Sequence, residues 1–97
     1  MVRTEIIANQ SIQDELIENL EEYIPDILYT YIPVVHGRGK NARKLGDATW
    51  PETNFILVSY VSDSQCEIVK KVITALKEKF PGEGIKLFIV NAVEFKS

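Results

Sequence analysis

The sequence predicts an α+β fold with elements in the order β-α-β-β-α-β, on three observations. Four short runs are rich in β-branched and aromatic residues: RTEIIA, ILYTYIPVV, FILVSYV and LFIVNAV. Two intervening stretches place apolar residues every three or four positions, the period of an amphipathic helix. Both stretches end at proline, at Pro25 and at Pro81-Gly82. The order is that of two βαβ halves joined by a hairpin, the ferredoxin-like arrangement. Right-handed crossovers then put both helices on one face of a four-stranded antiparallel sheet.

The elements follow in turn. Arg3–Ala8 reads as the first strand, and Ser11 with Asp14 three residues on reads as a helix start. Ile12, Leu16, Ile17, Leu20, Tyr23 and Ile24 form one apolar face. Pro25 ends that helix, because the residue before proline is pushed out of helical geometry. Ile27–Val35 reads as the second strand. Pro33 cannot donate to a ladder, so it belongs at an edge or a bulge. Residues 36–54 contain Gly37, Gly39, Gly46 and Pro51 with no helical period, a connection long enough to carry function. Phe55–Val61 is the third strand. Ser62, Asp63 and Ser64 offer caps, with Glu67 three residues after Ser64. Cys66, Val69, Ile73, Leu76 and Phe80 mark the second helix, and Leu87–Val93 the last strand.

Size and composition bound the rest. The chain has 97 residues, 45% hydrophobic and 26% charged, with a net charge of −3. That fits a single domain over residues 1–97 and argues against disorder. No run reaches the ~18 apolar residues of a membrane span. No secretory leader stands at the N-terminus, so a cytoplasmic protein is expected. The one cysteine, Cys66, cannot form an internal disulfide and is expected as a small buried hydrophobe.

Charge is unevenly laid out. Asp14, Glu15, Glu18, Glu21, Glu22 and Asp26 form an acidic run without bases, expected as a solvated helix face. Arg38, Lys40, Arg43 and Lys44 place four of the eleven basic residues within seven positions. The strands FILVSYV and LFIVNAV are apolar at nearly every position. Strands apolar on both faces need cover on both, and in a chain this short the second cover must be another subunit. A homo-oligomer is therefore expected, with a modest exposed apolar patch on a monomer as the competing explanation.

His36-Gly37-Arg38-Gly39-Lys40 is the strongest local signal. Glycines allow positive φ and close approach of backbone N–H groups to an anion, and Arg38 can grip a phosphate or carboxylate with paired hydrogen bonds. The segment lacks Walker spacing, and a solvated basic turn explains it equally well. Pro81-Gly82-Glu83-Gly84-Ile85-Lys86 forms a second glycine-rich turn, which also reads as a helix stop. His36, Asp47, Glu52 and Cys66 match no ligand spacing, so no metal site is expected. Trp50 reads as a loop anchor, with a stacking platform as the alternative. The basic cluster is one short loop in an acidic chain, so no nucleic acid is expected as a partner. Nothing resembles a catalytic triad or paired carboxylates, and no enzyme is predicted.

These residues resemble the P-II signal-transduction proteins. The resemblance rests on the element order, on Gly37-Arg38 with Lys40 where the second strand enters the long loop, on the turn Val61-Ser62-Asp63, and on Gly82-Glu83-Gly84-Ile85-Lys86 before the strand Leu87–Val90. It implies a cytoplasmic homotrimer. Clefts between its subunits would take a small anionic ligand, an adenine nucleotide (ATP, ADP or AMP). Gly37, Arg38, Gly39, Lys40, Gly82, Gly84 and Lys86 would line them. The 37–53 loop would present a surface to a regulated protein. The departures are specific. Gly39 stands where the family has glutamine, the loop has no tyrosine, and Ile85 separates Gly84 from Lys86. The family's C-terminal arginine pair has no counterpart in the EFKS ending, which leaves Arg43 or Lys44 as substitutes. The alternatives are a ligand-free interaction module and a metal-binding trimer of the CutA type.

Overall fold

The computed structural model describes residues 1–37 and 53–97, so Arg38, Gly39, Lys40, Arg43, Lys44, Asp47, Trp50 and Glu52 lie outside the described residues, as does most of the 37–53 loop. Strands β1 (Val2–Asn9), β2 (Tyr29–His36), β3 (Thr53–Val61) and β4 (Ile85–Asn91) form one antiparallel sheet in the order β2-β3-β1-β4. Helices α1 (Gln13–Tyr23) and α2 (Asp63–Lys79) fall between β1 and β2 and between β3 and β4. This is the ferredoxin-like fold that the alternation predicts.

The core forms where period-2 strands meet period-3.6 helices. β1 buries Val2, Thr4, Ile6 and Ala8, and β3 buries Phe55, Leu57, Ser59 and Val61. The helices answer with Ile12, Leu16 and Leu20 on one side and Cys66, Val69, Ile73 and Leu76 on the other. Burying a large apolar side chain stabilises by about 1.5–3 kcal/mol, so this layer holds the fold. Cys66 is a free, buried thiol within it, as its spacing predicts. Two hydroxyls break the apolar layer, and the Thr4 and Ser59 hydroxyls satisfy one another by a hydrogen bond.

Several local expectations need correction. Ser11 does not cap the first helix. The chain enters through a short 3-10 turn, Gln10–Ile12, and the Asn9 side chain accepts from the Ser11 N–H at 2.9 Å. Of the three candidates Ser62, Asp63 and Ser64, Ser62 caps α2, as one of the expected choices. Its hydroxyl accepts from the Gln65 N–H at 3.2 Å while the Gln65 side chain accepts from the Ser62 N–H at 3.1 Å, a reciprocal capping box. Glu67 pairs instead with Lys70 at 2.9 Å. Tyr23 is 58% exposed, because the four-residue stripe Ile12-Leu16-Leu20-Ile24 takes the core side of the helix. β4 starts two residues earlier than predicted and ends at Asn91, leaving Val93 and Phe95 exposed beyond it. Pro33 lies as expected, on edge strand β2, where the pairing with β3 shifts by one residue between Ile32 and Val35.

Candidate functional site

Strand directions decide where the two glycine-bearing segments lie. Asn9 at the end of β1 pairs with Asn54 at the start of β3. His36 at the end of β2 pairs with Thr53, and Ile85 at the start of β4 pairs with Ala8. The exit of β2 at Gly37 and the approach to β4 through Gly82 and Gly84 are therefore at the same end of the sheet. They are also on opposite edges of it. Three strand-to-strand steps of about 4.8 Å separate them by about 14 Å within one chain.

Each sequence-predicted residue has its own setting. Gly37 follows β2 directly, and a Cβ there would lie 2.9 Å from the Asn54 side-chain nitrogen. That nitrogen is the end of a side chain that can move aside, so neither space nor a left-handed φ demands glycine at this position. Gly82 faces open space and also lacks a left-handed φ, so it serves the helix stop and demands no special backbone. The Gly84 carbonyl accepts from the Asn9 N–H at 3.1 Å, which ties the turn to the end of β1. Lys86 pairs with Ile7 in register and is exposed on the sheet face away from the helices. Arg38, Gly39 and Lys40 continue from Gly37 outside the described residues.

Between the two edges runs a polar strip that the sequence reading did not single out. It consists of Asn9, Gln10 and Asn54, all half-buried. The Gln10 side chain donates to the Pro33 carbonyl and braces the bulged end of β2. Asparagines paired across neighbouring strands, next to a glycine-rich loop, were the available signal. Their adjacency depends on a pairing 45 residues apart in sequence.

His36 and Cys66 are not brought together. Cys66 is buried on the first turn of α2, which follows the far end of β3, whereas His36 is exposed at the loop end of the sheet. Among the described residues no three His, Cys, Asp or Glu side chains gather as a metal site. No helix among them is long and apolar enough to cross a membrane.

The sheet face opposite the helices is bare among the described residues. Register gives it three rows across the strands: Tyr60, Arg3 and Val90; Thr30, Val58, Glu5 and Phe88; and Ile32, Ile56, Ile7 and Lys86. Ile32, Tyr60, Phe88 and Val90 are each about half exposed. One ion pair interrupts the apolar surface: Arg3 meets Glu5 at 3.0 Å and reaches the Tyr60 hydroxyl at 3.5 Å. The Glu5 hydrogen bond first, and Tyr60 second, raise the Arg3 pKa above that of a free arginine. On the helical side, α1 and α2 leave an open groove of about 460 Å3 lined by Glu15, Asn19, Tyr23, Ile68, Val72 and Ala75, among others. Leu76 and Lys79 also line it, so one end of the groove lies at the close of α2, three residues before Gly82.

The arrangement defines a class first: a ferredoxin-like α+β sheet with a bare apolar face and glycine-bearing loops at one end. Comparison with solved structures shows the same fold in PII-like signalling proteins. A Thermus thermophilus protein described as a PII-like signalling protein matches at 21% identity and TM-score 0.55, over 91% of this chain and 82% of that one. CPII, a nitrogen regulatory PII-like protein from Thiomonas intermedia, matches at 17% identity and TM-score 0.63, over 92% of this chain and 88% of that one, in a structure bound to ADP, AMP and bicarbonate. A de novo designed protein, Foldit4, matches at 8% identity and TM-score 0.61 over 95% of this chain and 98% of that one. A designed chain scores about as well as CPII, so these matches speak to the fold. No protein-family model matches the sequence, and no curated protein does.

Proposed function

We propose that residues 1–97 form one PII-like regulatory domain that assembles as a homotrimer and senses a small anionic ligand, an adenine nucleotide, in clefts between subunits. The observation that carries this reading is the separation of the two loops. The Gly37 exit and the Gly82–Lys86 segment share one end of the sheet but occupy opposite edges. A cyclic assembly brings the β2 edge of one copy beside the β4 edge of the next. Gly37, Arg38, Gly39 and Lys40 of one subunit would then face Gly82, Gly84 and Lys86 of its neighbour. The exposed apolar rows of the sheet supply the buried contact, and the adenine nucleotides and bicarbonate bound by CPII supply the ligand class. The 37–53 loop would then carry the signal by presenting a surface to a partner protein.

The test is a thermal-shift titration with ATP, ADP, AMP and bicarbonate, alongside the mass in solution. Ligand at about 100 times its dissociation constant adds about 2.7 kcal/mol, which moves the midpoint by several degrees in a domain of this size. The double variant Arg38→Ala, Lys86→Ala is expected to keep the oligomer and lose the shift. An unchanged shift in that variant would remove the site assignment.

A further inference from the structure

We infer that the Arg3–Glu5 ion pair sets the register in which the bare sheet face meets a second copy of this chain. The inference rests on the self-assembly proposed above and adds what makes that assembly specific. Arg3 and Glu5 are two residues apart on β1, a central strand, so they project from the middle of the face. Their neighbours across the strands are Tyr60 and Val90 for Arg3, and Val58 and Phe88 for Glu5. Both side chains retain part of their exposure, 40% for Arg3 and 31% for Glu5.

Covering this face with a featureless apolar surface would strip water from both charges and return nothing to them. A uniformly acidic partner would satisfy Arg3 and repel Glu5, and a basic partner would do the reverse. A second copy carries the same adjacent plus and minus, so the Arg3 of one copy can meet the Glu5 of the next. A slipped register would set a charge against an apolar neighbour such as Val90 or Phe88, or against its like. The pair therefore acts chiefly by penalising wrong registers, while the apolar rows supply the attraction.

Native mass spectrometry of purified protein and variants tests this. Arg3→Glu alone and Glu5→Arg alone put like charges at the contact, and each is expected to weaken self-association at least tenfold. A mixed trimer pairs opposite charges at two of its three contacts, so mixing the two variants is expected to recover part of the association in assemblies containing both chains, which a pair acting only within one chain cannot do. A mixture that stays monomeric overturns the inference, as do single variants that assemble like the parent. The neutral variant Arg3→Gln, Glu5→Gln is expected to associate but to lose a single defined stoichiometry, and one sharp mass there also overturns it. Phe88→Asp separates the two levels. If it dissociates the assembly while Arg3→Glu does not, the register inference fails and the proposed interface stands. If it leaves the mass unchanged, the interface reading itself fails. Circular dichroism melts confirm that each variant is folded.

Discussion

The two faces of the sheet begin from similar sequence and end in different environments. Each carries apolar side chains on every strand, and in the middle of each a polar pair involves β1. On the inner face the pair is Thr4 with Ser59, two neutral hydroxyls bonded to each other and sealed under the helices. On the outer face it is Arg3 with Glu5, two charges that remain in partial contact with water. A permanently dry layer tolerates hydroxyls that satisfy one another, since burying isolated charges costs several kcal/mol. A charged pair suits a face that is wet in at least one state of the molecule. The chemistry of the interruption thus separates a face covered by its own helices from one that its own described residues leave bare.

The largest effect should come from the inner face. Phe55 is fully buried, and Phe55→Ala is expected to lower the unfolding free energy by about 3–5 kcal/mol, measured by urea denaturation. That is a large part of the stability of a domain this small, so the variant should also show a markedly lower melting temperature. Loss of less than about 1 kcal/mol would mean that the helices do not seal this layer.

A smaller effect tests the polar pair beneath the helices. Thr4→Val removes one hydroxyl and leaves Ser59 without its side-chain partner, at an expected cost of about 1–3 kcal/mol. The double variant Thr4→Val, Ser59→Ala removes both groups and should cost less than the two single changes added together. Strict additivity in that double-mutant cycle would show that the hydroxyls do not depend on each other.

The same contrast explains what the sequence made legible. Four strands, two helices, the stop at Pro25 and the bulge near Pro33 follow from period and from backbone restriction, which are local properties. The helix starts were less legible. Ser62, Asp63 and Ser64 all qualify as caps, and only the reciprocal bond with Gln65 selects Ser62. A 3-10 turn moved the other cap back to Asn9. Lys86 interrupts the apolar run of β4, so the strand seemed to begin at Leu87, yet an outward-facing position accepts a lysine without cost. At the candidate site, Gly37 and Lys86 could be picked out one by one. Their separation across the sheet could not, because it follows from the long-range pairings of β1 with β3 and β4.

The smallest expected effect on the chain's own fold sharpens the comparison most. Val90 lies on the outer face of edge strand β4 and is 56% exposed. Val90→Thr keeps β-branching and removes apolar surface, so at high dilution it should change the unfolding free energy by no more than about 0.5 kcal/mol. At concentrations where the parent self-associates, assembly stabilises the folded state by mass action, and the variant loses part of that gain. The gap between the two melting temperatures should therefore widen as protein concentration rises. A gap that is large at high dilution and constant thereafter would mean that Val90 packs within its own chain. The outer face would then be a second core layer, and the distinction between the two faces would fall.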